Sequence, residues 1–339
     1  KDLASVVGLG MLKAKQGKDY EALVLFIQAV RAANLVHLKS DTGNHTLIPG
    51  ALNNSKNEVF GARFWNTMAK IAFNTYLDDL RIQVLNVALD CSEIAAGFIE
   101  NLANQQLWIL RGRIHESLGH LQAASDLYEQ CISKFTHGDD LHEVMFREAA
   151  VAKRLGRFTR CIAYMEYSLI KPPPGFSQKD ILFQISRVHE QEGKVDIASD
   201  GFRQAFKFVK KSGNSSSNLR SWRDWINRQD SWDKQAAIAF TNGYYSIAID
   251  MIQRSLMLGE RRIKMEALKP FGGESEKLII EASHRWWMAA VSARHLGELH
   301  TSLKACEEAV SRDPTNSTAS VALEKWNEFF LKGGEADKE

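Results

Sequence analysis

Residues 108–131 read WILRGRIHESLGHLQAASDLYEQC, residues 145–168 read MFREAAVAKRLGRFTRCIAYMEYS, and residues 182–205 read LFQISRVHEQEGKVDIASDGFRQA. Each stretch starts 37 residues after the one before, which brings Gly119, Gly156 and Gly193 into register. Eleven residues before each glycine stands a large apolar side chain: Trp108, Met145 or Leu182. Five after comes a small one (Ala124, Cys161, Ala198), nine after a large one (Tyr128, Met165, Phe202), and twelve after another small one (Cys131, Ser168, Ala205). Self-similarity at a fixed period of this length is the signature of a stacked repeat.

The pattern describes an antiparallel pair of helices. Apolar residues three and four apart on each side of the glycine make two amphipathic helices. The glycine marks the reversal, where a side chain would add strain. Small residues stand where helices must approach closely, and the large residue nine after the glycine fills the space between pairs. One pair cannot bury its own apolar face, so pairs stack.

Working outward, the same order recurs. Gly17 is followed by Ala22, Phe26 and Ala29; Gly243 is preceded by Trp232 and followed by Ala248, Ile252 and Ser255. Gly297 is preceded by Trp286 and followed by Ser302, Cys306, Ala309 and Pro314. A weaker copy runs from Trp65 through Ala69 and Ala72 to Leu85 and Ala88, with Tyr76 at the expected turn and Arg81 where a small residue is expected. These positions resemble the tetratricopeptide repeat (TPR). The resemblance implies an all-α solenoid, a right-handed superhelix of about seven helix-turn-helix repeats with a C-terminal capping helix. The repeats are expected near 3–35, 62–92, 105–138, 142–174, 179–211, 229–259 and 283–316, the cap at 317–331, and a disordered tail at 333–339.

Composition is that of an ordinary folded protein, 45% hydrophobic and 25% charged. Six prolines and few alternating β-branched runs argue against sheet. A net charge of +2 makes no bulk case for nucleic acid, and no apolar run approaches the ~18 residues that span a bilayer. Cys91, Cys131, Cys161 and Cys306 lack C-x-x-C pairing, and three of them fall on small core positions, so reduced buried thiols in an intracellular protein are expected. Nuclear and cytoplasmic locations both stay open, because the chain begins at Lys1 without a Met. Sequons at Asn44, Asn53, Asn214 and Asn316 fall in expected loops.

Between the repeats, residues 37–58 are dense in turn formers and read as a long loop. Residues 93–104 read as a short extra helix. Lys171-Pro172-Pro173-Pro174-Gly175 is a spacer that ends a helix; punctuation is the simpler reading of it, an SH3- or WW-type ligand the other. Residues 211–219 read as a flexible linker, and residues 259–275 as a basic insertion.

Catalytic signatures fail on spacing. His115 and His120 are five apart around a turn glycine, whereas a zinc-protease helix needs its histidines four apart. Leu12 stands where the first glycine of a phosphate loop ending at Gly17-Lys18 would be. No enzyme activity, cofactor or metal is therefore expected. The usable surface of a TPR stack is its inner face, and the register assigns to it Arg63, Asn66, Lys70, Arg113, Arg147, Arg154, Phe183, Arg187, Phe240 and Trp287. The arginines suit an acidic or phosphorylated segment, with Phe183 and Trp287 as apolar anchors. Glu116, Glu143, Asp180, Glu190 and Asp233 share that face and dilute its charge. The Lys and Asn pattern that clamps a chaperone's C-terminal carboxylate in some members of the family is absent from the first pair, where Val7 and Met11 stand.

Interleaved basic and aromatic residues at 207–228 (Lys207, Lys210, Lys211, Arg220, Trp222, Arg223, Trp225, Arg228), with the basic stretch 261–269, raise a competing reading as an RNA- or DNA-associated subunit. Against it stands an inserted helix whose tryptophans pack on the array. Residues 104–206, including the Pro-rich spacer before Asp180-Ile181-Leu182-Phe183-Gln184, resemble the TPR arrays of the Tup-associated general co-repressor of yeast and of UTX-type histone demethylases. That likeness implies a non-enzymatic scaffold binding protein or peptide partners in a multiprotein, transcriptional-regulatory complex. A regulatory array of a larger enzyme is the remaining alternative.

Overall fold

The computed structural model describes residues 2–33, 60–79, 82–98, 101, 103–135, 140–211, 221–267 and 275–336. Among them all regular secondary structure is helical, and no strand occurs. The fold is the expected all-α array of helical hairpins. The chain divides into two compact units, Lys1–Gly138 and Asp139–Glu339.

Unit 1 holds three hairpins: α1 (Leu3–Lys15) with α2 (Asp19–Ala32), α3 (Ala62–Asp79) with α4 (Ile82–Ala96), and α5 (Gln105–Ser117) with α6 (Leu121–Lys134). Unit 2 holds four: α7 (Leu141–Arg154) with α8 (Phe158–Ser168), α9 (Gln178–Gln191) with α10 (Val195–Lys211), α12 (Gln229–Thr241) with α13 (Tyr245–Ala267), and α14 (Ser275–His295) with α15 (Leu299–Arg312). The short α11 (Trp222–Ile226) precedes the third of these pairs, and α16 (Ser317–Ala336) follows the last.

The turns form as the register requires. Gly17, Gly119, Gly156, Gly193, Gly243 and Gly297 all adopt φ between 72° and 79°, the left-handed region that glycine enters without a Cβ clash. At Gly119 the glycine N–H donates to the Glu116 carbonyl (3.1 Å) and the His120 N–H to that of His115 (2.9 Å). This six-to-one plus five-to-two pairing satisfies the last carbonyls of α5, and Gly156 repeats it with Lys153 and Ala152.

Close approach within a hairpin depends on the residue seven before the turn glycine. A Cβ on Gly112 would lie 2.2 Å from Cε1 of the buried Tyr128, whose hydroxyl donates to Glu116. Gly112→Ala is therefore expected to lower stability in urea unfolding by about 1–3 kcal/mol through overpacking, although alanine gains ~1 kcal/mol in helix propensity. Gly8→Ala, with nothing within 4 Å of the added carbon, is expected to be neutral or stabilising. Equal gains from both would mean that α5 and α6 do not approach this closely.

Several expectations need correction. Tyr76 is not at a turn: α3 runs to Asp79, about one turn longer than the register allows, and Tyr76 is buried in its core. The extra helix at 93–104 is instead the end of α4, which stops at Ala96. The basic insertion at 259–275 is largely helical, because α13 extends to Ala267 and α14 starts at Ser275. Helix α16 continues through Gly333 and Gly334 to Ala336, into the segment expected as tail; glycine raises the cost of a helix without ending it. Asn316 lies, as expected, in the connection between α15 and α16. Its side chain accepts from the Ala319 N–H and caps α16. The loop at 37–58, residues 212–219 of the linker, and Asn44, Asn53 and Asn214 lie outside the described residues.

The four cysteines are free and buried. Burial pushes the Cys161 thiol up to about 12 and that of Cys306 to about 11, and it raises Cys91 as well.

Candidate partner-binding surface

In unit 1 the expected inner-face residues of α3 stay accessible. Arg63 and Lys70 are exposed and Asn66 is half-buried, and their spacing puts them on one side of the helix. On α5 the Arg113 guanidinium lies 5.0 Å from the ring centre of Phe73 on α3, a cation–π contact that fixes its direction. Glu116 is buried and accepts from Tyr128, so its role is internal. The His115 and His120 rings lie 5.7 Å apart. Burial, then the neighbouring His120, holds His115 below its ordinary pKa. Among the described residues no group of three His, Cys, Asp or Glu could hold a metal.

In unit 2 the expected inner face is largely filled by the chain itself. The Pro-rich spacer does not float: Pro173 is buried, and Phe176 packs on Phe146 of α7 with ring centres 4.9 Å apart. Tyr244, at the start of α13, completes a buried aromatic triad, 5.0 Å from Phe146 and 5.5 Å from Phe176. Gly175 lets the spacer pass the turn before α13, since a Cβ there would lie 2.2 Å from Asn242. The turn of the third hairpin of unit 2 thus seats against the first.

The arginines assigned to this face are engaged inside it. Arg147 is buried, bonds Glu143 (2.9 Å) and covers the Tyr244 ring at 4.7 Å. Arg154 pairs with Glu298 of the α14–α15 turn at 2.9 Å. Arg187 pairs with Glu190 (2.7 Å) and with Asp250 of α13 (3.1 Å). Asp250 also accepts from Lys153 at 2.6 Å and from Gln191 at 2.9 Å, so one carboxylate ties α7, α9 and α13 together. Burial opposes the charge of Asp250, but Lys153 and Arg187 outweigh it and hold the carboxyl below its ordinary pKa. Burial likewise works against Arg187, yet Asp250 and Glu190 raise its pKa above the usual value.

The apolar residues assigned to this face need the same correction. Phe183 is fully buried and meets Phe202, Trp225 and Trp232 edge-on at 5.2, 5.2 and 4.8 Å. It is core, because the inserted α11 brings Trp225 down onto it. Phe240 is half-buried against Tyr245, and Trp287 stacks on Trp326 of α16 at 6.0 Å. Arg285 grips Asp233 with two bonds of 2.8 and 2.9 Å. In the 207–228 stretch Trp225 is buried, and Trp222 stacks on Phe202 with Arg223 5.1 Å from its ring centre.

Residues 105–133 match the tetratricopeptide repeat family model. That is the α5–α6 hairpin, whose Trp108, Gly112, Gly119, Ala124 and Tyr128 carry the pattern. A comparison with curated proteins finds no match. Among solved structures the chain is similar to the C-terminal part of a TPR repeat-containing protein from Cytophaga hutchinsonii. That likeness has 14% identity over 94% of this chain and 99% of the other, with a TM-score of 0.43. It is also similar to the apo form of RapI, at 11% identity over 91% and 98% with a TM-score of 0.46. A third similarity is to a Podospora anserina protein described as having nearly identical, kinesin-light-chain-type TPR-like repeats. There identity is 14% over 63% and 100%, and the TM-score is 0.41.

The residues that sequence reasoning missed are Tyr244, Asp250 and Glu298, all on second helices or turns of TPR-like hairpins. Their register carries no signal. Asp126 and Asp200 stand seven after their turn glycines as Asp250 does, and both are exposed. No described helix is long and apolar enough to cross a membrane.

Proposed function

We propose that the protein is a non-enzymatic interaction scaffold, a subunit that holds segments of other proteins. The observation that carries this reading is the contrast between the two units. In unit 2 the arginines of the inner face are engaged by the chain's own carboxylates, whereas on α3 the side chains of Arg63 and Lys70 reach solvent beside Asn66. With Arg113 of the neighbouring α5, they offer hydrogen-bond donors to an acidic or phosphorylated segment. The order of motifs over 104–206 supports a place in a larger, transcriptional-regulatory assembly.

The nucleic-acid reading loses Trp225 as a stacking platform, since it is buried, and Trp222 already stacks on Phe202.

The test is affinity capture from a lysate with wild type and with Arg63→Glu/Lys70→Glu, two exposed positions whose reversal leaves the fold intact. The double variant is expected to lose a defined set of the proteins held by wild type. Recovery of the same set with both would remove α3 as the binding face. Reversing Arg147 or Arg187 cannot serve, because each is part of the internal network and its reversal would unfold unit 2.

A further inference from the structure

We infer that the outer end of α13 is a second docking surface, and that it takes an acidic segment carrying apolar side chains. This rests on the scaffold reading and locates a partner site that the repeat register does not contain. Helix α13 is 23 residues long, whereas the second helices of the other hairpins in unit 2 have 11, 17 and 14. In its last turns Ile263 packs on the core and Glu260 turns to Arg312 of α15, while the opposite side of the helix faces solvent.

That extension presents one stripe. Met257, Arg261, Lys264 and Met265 follow at intervals of four, three and one, which puts them on a single side of the helix. All four are exposed, Met257 to 39% and Met265 to 66%. No ion pair among the described residues involves Arg261 or Lys264. The sole carboxylate between 257 and 265 is Glu260, and it is turned to Arg312 of α15 at 2.9 Å. Among the described residues the two cations of the stripe thus have no carboxylate partner, the reverse of the inner face of unit 2.

Its chemistry selects the occupant. Two cations bracketed by methionines match carboxylates interspersed with aliphatic side chains, because methionine is unbranched and adapts to irregular apolar partners. Charge complementarity speeds and orients the encounter, and apolar contact holds it. The stripe has no aromatic residue on which a nucleobase could stack. Two exposed thioethers also give little apolar area for seating in lipid.

The probe is a fluorescein-labelled peptide of about fifteen residues with alternating Glu and Leu, titrated onto the whole chain by anisotropy. A single-stranded oligonucleotide and phosphatidylserine vesicles serve as rival probes. Arg261→Glu/Lys264→Glu is expected to weaken the peptide about tenfold or more, and Met257→Ser/Met265→Ser several-fold. Both variants should keep the wild-type Tm, since none of the four residues is buried. Binding of the peptide to both variants as tightly as to wild type, or no binding to wild type, would overturn the inference. So would an oligonucleotide or a vesicle that depends on Arg261 and Lys264 while the peptide does not. None of these results touches the scaffold reading, which stands or falls on the α3 variants.

Discussion

Replacing Asp250 with alanine is expected to destabilise unit 2 by about 3–5 kcal/mol in urea unfolding, one of the two largest losses foreseen for a single substitution. The carboxylate is nearly enclosed, and Lys153 and Arg187 converge on it with side chains only 10% and 16% exposed. Removing it leaves the buried Lys153 without a counter-charge and Arg187 with Glu190 alone. The cost is that of stranding those charges, and the net worth of the cluster is far smaller. Replacing all three groups together with apolar residues of similar size, as in Lys153→Met/Arg187→Met/Asp250→Leu, is expected to come close to neutral. If the single variant proved as mild as the triple, the hub would be ornamental.

The same carboxylate sets an acid limit. Its folded-state pKa lies below the ordinary value. Its contribution is therefore complete above about pH 4, the unfolded carboxyl range, and fades as pH falls through the folded value. The slope of stability against pH below about 4 should accordingly be shallower in Asp250→Asn than in wild type.

Phe183→Ala is expected to cost about 3–5 kcal/mol, because it opens a cavity at the meeting point of Phe202, Trp225 and Trp232. Phe183→Leu, which keeps most of the volume, should cost much less. Urea unfolding followed by tryptophan fluorescence reads the effect directly, since two of the three neighbours are tryptophans. A groove anchor would behave in the opposite way, keeping full stability and losing only partner affinity. The two roles therefore separate in one experiment.

Periodicity made the hairpins legible. Six turn glycines were placed from spacing alone, and all six adopt the positive φ that their position requires. Tyr128, expected as a space-filling residue, is buried, and it packs against Gly112 of its own hairpin, a position that the pattern did not single out. What spacing could not reveal is how sharply successive hairpins turn. The spacer residue Phe176 and the turn residue Tyr244 are distant in sequence, and neither departs from an ordinary repeat composition. Together they bring the third hairpin of unit 2 onto the first and turn Arg147 from a presumed ligand contact into an internal tie, as Glu298 of the fourth hairpin does for Arg154. Phe183 was misread for a related reason: its register position faces a groove only if nothing is inserted there, and α11 is. The α3–α4 hairpin was misjudged where its first helix outran the repeat, a length that no capping residue announced.

The Arg154–Glu298 pair spans 144 positions of the chain. A linear stack whose members touch only their neighbours can fray from either end and melt in stages. Where the first member also grips the last, the ends are no longer independent, and peeling off the final hairpin must disturb the first. Loss of order in unit 2 is then expected to be more concerted than in an open stack, and removing the α14–α15 hairpin should weaken α7 as well as its own neighbour.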